Sequence, residues 1–284
     1  MNNNIFKDLS FKVFRSGNPL FFYIGINTII FIVTALIALV AFLTRTNVDV
    51  YDLVREYFAL PASFSKLPER FYTVFTYMFF HDGFLHLLFN MLGLFWFGQV
   101  FMNFLKSHQF HFVFIVGGLA GALLFIAGIN LFPVFADSLA GITVIGASGC
   151  VMAIIVATAT LVPNYAFYLM LLGEVKIKYL ALAYFILDIL SLGSTNAGGS
   201  LAHIGGAILG FSYIKMLQSG NDLSKIFEKK PKLRVVKNEQ PIKKPTFKGV
   251  SQNEVDEILD KISKSGYDKL TATEKEKLFK ASKD

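Results

Sequence analysis

The chain is poor in charge and almost without cysteine. Of its 284 residues, 17% are Asp, Glu, Lys or Arg, against about 25% in a typical soluble domain. Cys150 is the single cysteine, which excludes an internal disulfide framework and a thiolate metal cluster. There is no His-Glu-x-x-His string, so the helical zinc-protease motif is excluded. Asp188 is the only aspartate well inside an apolar run, which argues against a pair of intramembrane aspartates. Neither an inverted repeat nor a pair of broken apolar helices is detectable, which argues against a transporter. A cleavable leader is also not expected. The first apolar run starts near Phe21 and lasts roughly 24 residues, enough for a ~30 Å hydrocarbon core and too long for a leader's apolar segment.

What is abundant is apolar. The sequence is 54% hydrophobic, with 31 phenylalanines and a mean hydropathy of +0.53. This is the composition of a polytopic membrane protein with a soluble tail. The formal charge of +7 belongs mostly to that tail, since 17 of the 27 Lys and Arg residues follow residue 214.

Six spans are expected, making an all-α membrane domain over residues 20–217 after a polar segment, 1–19. They run from Leu20 to Thr44, Gly83 to Leu105, Phe110 to Phe132, Ser148 to Val162 or Leu172, Tyr179 to Leu192, and Leu201 to Leu217. The long 45–80 connection contains an amphipathic patch, Val50 to Leu60, before Pro61, and reads as a short helix lying in the membrane plane. Glu174, Lys176 and Lys178 mark a loop, and Gly193 to Ser200 a turn. Lys and Arg are in excess in the N-terminal segment, the 106–109 break, the 173–178 loop and the tail. Positive-inside counting therefore puts both termini in the cytoplasm.

That topology starts spans two, four and six on the outer side. It brings His86 and Asn90, Ser148 and His203 to a similar depth on three different helices. Polar groups in apolar helices are costly and usually face the bundle interior.

In the tail, 218–249 reads as a basic linker near anionic headgroups, and 250–284 as a small cytoplasmic αα-hairpin. Ser251-Gln-Asn-Glu254 and Thr273-Glu-Lys-Glu276 are candidate capping boxes, and Gly266 can end the first helix. The hairpin's apolar face is thin for a free-standing domain. It leaves docking on the membrane domain, on a second copy or on a partner open. Membrane contact explains the basic charge more simply than nucleic acid does.

Ile145-Gly-Ala-Ser-Gly-Cys150 puts the Ser148 hydroxyl at the start of an apolar helix, flanked by small residues. A helix N-terminus offers free N–H groups and positive partial charge, which suit an activated nucleophile or a developing oxyanion. Small residues there would equally serve close helix packing. His86 and Asn90, at i and i+4, share a helix face. They could point donors at a reacting oxygen or bond to a neighbouring helix. Gly206 and Gly210 make a G-x-x-x-G face that also carries His203. If that face meets span four, His203 reaches Ser148 as a general base. Otherwise it is a buried histidine satisfied by a carbonyl.

Together, His81-x-x-x-x-His86-x-x-x-Asn90, Gly146-Ala-Ser148-Gly149 and Ala202-His203-x-x-Gly206-x-x-x-Gly210 resemble the signatures of the rhomboid intramembrane serine proteases, in the family's order over roughly residues 20–217. The resemblance implies a six-helix bundle around a water-accessible cavity. Ser148 would be the nucleophile and His203 its base, with no acidic third member. The Ser148 N–H, His86 and Asn90 would form the oxyanion site. His81 would support the loop after span one, Gly146 and Gly149 would flank the nucleophile, and Gly206 and Gly210 would pack spans four and six. Substrates would be transmembrane proteins in the bilayer, with no metal or cofactor, and the setting a bacterial plasma membrane. An inactive rhomboid-like escort of membrane clients is the alternative, although such relatives typically lack a dyad member. Rhomboids commonly carry Trp-Arg before the first motif histidine. Tyr72-Thr73 stands here, with Arg70 nearby, so the usual loop anchor is not expected to carry over unchanged. Asp188, toward the outer end of its span, could orient His203, but it reads rather as a contact for interfacial water or a gating residue.

Overall fold

The computed structural model describes residues 5–169, 173–194, 196–227 and 250–282. Most of the expected linker, 228–249, lies outside the described residues, as do 1–4. The chain divides into two compact units, Met1–Lys230 and Pro231–Asp284.

The first unit is mostly helical. Helix α1 (Ile5–Ser10) and a π-helical turn (Phe11–Arg15) precede α2 (Pro19–Leu43). Asn18 caps α2 by accepting from the Leu20 N–H, and Pro19 takes the first position, where its missing N–H costs nothing. Helix α3 (Val50–Phe58) forms within the expected amphipathic patch, capped by the Asp49 carboxylate. After strand β1 (Leu60–Pro61) and the short α4 (Thr73–Thr76) come α5 (Phe84–Phe104) and α6 (Ser107–Leu131). Strand β2 (Thr143–Val144) leads into α7 (Ser148–Leu161). Strands β3 (Ala166–Leu169) and β4 (Gly173–Lys176) precede α8 (Ile177–Leu190) and α9 (Ala197–Gln218).

Among the described residues, α2, α5, α6 and α9 are long and apolar enough to cross a membrane. Helices α7 and α8 have 14 residues each, roughly 21 Å at 1.5 Å per residue, which is short of a ~30 Å core. One boundary left open is decided here, and two expectations are corrected. Helix α7 does not reach Leu172, because Pro163 lacks a donor and clashes with a continuing helix; instead Ala166–Leu169 pairs antiparallel with Gly173–Lys176. The 193–200 turn is shorter than expected. Helix α9 already begins at Ala197, with Gly198 and Gly199 buried. The all-α reading gains two ribbons, the second pairing Leu60 with Val144 and Pro61 with Thr143.

Helix α9 is wedged between α6 and α7. A Cβ at Gly206 would overlap the Gly149 carbonyl, and one at Gly210 the Ala153 carbonyl. On its α6 side, a Cβ at Gly205 would lie 2.5 Å from the Ala120 oxygen. Backbone therefore meets backbone on two flanks, and the G-x-x-x-G face does meet the fourth apolar helix. Helix α2 differs, presenting Ile32, Leu36, Val40 and Phe42 outward, as a lipid-facing helix would.

In the second unit, α10 (Gln252–Ser265) and α11 (Ala272–Ala281) form a helical hairpin. Ser251 and Glu254 make the expected capping box, and Gly266, at φ 81°, ends α10. The second box is at Thr271–Glu274 rather than Thr273–Glu276. Burial of Leu270 at 6% exposure holds the chain just before Thr271, and Glu274 reaches back to Lys261 at 2.8 Å.

Candidate active site

The Gly146–Ser148 segment is held by its backbone. The Gly146 N–H donates to the Tyr77 carbonyl at 2.9 Å, and the Ala147 N–H donates to His81 Nε2 at 3.4 Å. The Ala147 carbonyl then accepts from the Val151 N–H at 2.9 Å, which starts α7. The first helical N–H groups, beginning with that of Ser148, have no intrahelical acceptor. Gly146 has φ 126°, and a Cβ there would lie 2.7 Å from both Cε1 and Nε2 of His86 and 3.8 Å from Ser148 Oγ. Only glycine fits this backbone conformation and leaves the imidazole its room.

Ser148 faces a cavity of about 590 Å³ lined by His86, Asn90, Ser148, Tyr184, Asn196 and His203, among others. Helices α5, α7, α8 and α9 all contribute. Ser148, His86 and His203 are half-buried, shielded yet open to the cavity. No direct Ser148–His203 hydrogen bond forms among the described residues; such bonds often tighten only around substrate. Asn90 is buried and donates through Nδ2 to the His86 carbonyl at 2.8 Å, which leaves its second amide hydrogen uncommitted by that bond. The mouth is rimmed by Arg55 and Asp82, 3.6 Å apart.

Three further groups have partners on other segments. Asp188 is a direct partner of His203, with Oδ1 2.7 Å from Nδ1. It lies on a different helix, 15 residues away, and only the packing of α8 against α9 joins them. His81, at the end of the loop after span one, is buried, and its Nε2 meets the Ala147 N–H just before Ser148. Arg70, near the positions where Trp-Arg is missing, ties its loop to α3. It donates to the Glu56 carbonyl at 2.5 Å, bonds to the Glu56 carboxylate, and lies over the Tyr57 ring. Its hydrogen bond holds the Glu56 carboxyl below the ordinary range. Tyr77 was not singled out by motif spacing. It is fully buried, its hydroxyl donates to the Gly118 carbonyl at 2.7 Å, and its own carbonyl holds Gly146.

A hydroxyl at a helix start, an imidazole fixed by a carboxylate, and donors converging on one cavity are the parts of an acyl-transfer site. A family model described as Rhomboid domain matches residues 68–219. A second, described as a family of unknown function (DUF6576), matches residues 247–284. No curated protein matches the chain. The rhomboid match covers more than half of the chain and contains every motif that lines the cavity. This multi-pass, mostly helical membrane protein belongs to the rhomboid family.

Proposed function

We propose that the protein is an intramembrane serine endopeptidase that hydrolyses peptide bonds in or near transmembrane segments of other membrane proteins, with Ser148 as nucleophile and His203 as base. The observation that carries this reading is the meeting of Ser148, His203 and His86 on one half-buried cavity. In this reading α7 and α8 are the fourth and fifth of six membrane segments, and both termini are cytoplasmic. The membrane is a bacterial plasma membrane.

The short α7 fits this chemistry. A helix roughly 9 Å too short for the hydrocarbon core starts below the surface if its other end reaches the interface. Irregular backbone at that depth is tolerated where it lines a water-filled cavity. Peptide hydrolysis needs water, which the bilayer core lacks, and a 590 Å³ cavity can hold it.

His203 Nε2 takes the Ser148 Oγ proton as Oγ attacks the scissile carbonyl. The oxyanion meets the Ser148 N–H, His86 and the second amide hydrogen of Asn90. His203 then returns the proton to the leaving amine, and the C–N bond breaks. Water, deprotonated by His203, releases the acyl group from Oγ and regenerates the hydroxyl.

The test is cleavage of a transmembrane reporter by purified protein, wild type beside Ser148→Ala and His203→Ala. Each substitution is expected to lower kcat by at least about a thousandfold with the fold intact. Equal cleavage by all three would remove the assignment. Reporter binding without cleavage by wild type would instead establish an inactive escort.

A further inference from the structure

The hydrolytic scheme leaves one buried acid unused. Asp188 lies near the C-terminal end of α8 and is 8% exposed, while its neighbours Leu187, Ile189 and Leu190 are 60%, 47% and 73% exposed. It is thus the inward position of an otherwise outward apolar turn. Its Oδ1 is 2.7 Å from His203 Nδ1, and its Oδ2 is buried without a partner among the described residues. An intramembrane acid so placed is costly and is typically retained for a use. Other titratable groups of the cavity are differently placed. His86 stands on α5, Tyr184 on α8, and Arg55 and Asp82 pair with each other at the rim.

We propose that Asp188 is a positioning residue for His203, so that this chain works with a third, acidic member behind its serine and histidine. The inference rests on the hydrolytic reading above. An ionised carboxylate can only accept, so Nδ1 must carry the ring proton. That leaves the Nε2 lone pair for the Ser148 proton and fixes the plane of the ring. When Nε2 takes that proton, the carboxylate faces an imidazolium and stabilises it without itself becoming protonated. The bond also makes the alignment of the base depend on where α8 sits.

The experiment uses the full chain in detergent micelles, as wild type, Asp188→Asn, Asp188→Ala and Asp188→Glu. Proton NMR of histidine-labelled protein reads the His203 Nδ1–H, assigned by its loss in His203→Asn. Fluorophosphonate labelling reads the reactivity of Ser148, and reporter cleavage separates kcat from KM. The wild type is expected to show a downfield Nδ1 proton. Asp188→Asn and Asp188→Ala lose it, and labelling falls by about a hundredfold or more. The loss appears in kcat rather than KM, and Asp188→Glu restores part of it. Wild-type labelling in Asp188→Asn overturns the proposal, as does lost activity with the Nδ1 proton unchanged. Should the variants not fold, the wild-type spectrum decides, because a His203 protonated on Nε2 alone overturns it. A wild type that shows the proton but neither labels nor cleaves overturns the hydrolytic reading, while the Asp188–His203 contact stands.

Discussion

Helices α9 and α10 are assembled by opposite means. Helix α9 begins after Asn196, which makes no side-chain cap, and buries five glycines, Gly198, Gly199, Gly205, Gly206 and Gly210. Its stability comes from backbone lying on backbone. Helix α10 buries only Ile258, and it begins with a reciprocal capping box. Exposed ion pairs tie α10 to α11, Lys277 to Glu254 at 2.7 Å and Lys261 to Glu274 at 2.8 Å. The difference follows from the surroundings each helix suits. Lipid tails are as apolar as leucine, so membrane helices associate through close van der Waals contact that only small residues permit. A small hairpin in water has little apolar area to bury, and its caps and charges weigh more.

Breaking the α9 contact should have the largest effect. Gly206→Leu drives a side chain into the Gly149 carbonyl, which cannot rotate away. It should destabilise the folded protein by about 3 kcal/mol or more. Ile208→Leu, on the outward face at 54% exposure, should change stability by no more than about 0.5 kcal/mol. Thermal unfolding in detergent measures both, and equal midpoints would show that the glycine face does not hold α7 and α9 together.

The hairpin should answer to smaller changes. Ser251→Ala and Thr271→Ala each remove an oxygen that accepts from an N3 N–H, and each should cost about 1 kcal/mol. Hydrogen exchange over residues 250–282 of the full chain reads this loss. Protection that stays at the wild-type level in both variants would mean the caps are incidental.

Acid should have the mildest effect, and on the hairpin alone of the two contacts. The hydrogen bond from Lys261 draws the Glu274 carboxyl down to about 2, and that from Lys277 lowers Glu254. Because the folded values lie below the ordinary value of 4.5, this contribution is complete above that pH. It is lost as the pH falls toward about 2. Protection factors of α10 and α11 should therefore hold above about pH 4.5 and drop as the pH falls from there toward about 2, but modestly, since exposed pairs contribute little. A rise on acidification would reverse the sign argued here. The uncharged Gly206 contact has nothing to titrate.

Much of the candidate site was legible because the proposed chemistry needs particular residue types at helical spacing. His86 and Asn90 fall on one turn, Ser148 on the first residue of α7, and His203 on the face of Gly206. The apolar runs placed α2, α5, α6 and α9 within a few residues, since roughly 20 consecutive apolar residues have few other uses. What stayed hidden was non-local. Tyr77 holds Gly146 from 69 positions earlier in the chain. Leu60 pairs with Val144. The β3–β4 ribbon follows from a proline stop that left the end of the fourth apolar run ambiguous. In the tail, Thr271 and Thr273 compete for the same cap, and burial of Leu270 decided between them.

The sequence by itself determined the membrane class, the order of the apolar helices and the identity of the polar groups set into them. Periodicity and transfer energy are local properties, and a charge or a glycine can be read where it stands. Tertiary structure alone decided that Asp188 lies against His203 and that Arg70 reaches Glu56. Each is a hydrogen bond between separate segments, and its existence depends on a separation of about 3 Å that no spacing along the chain encodes.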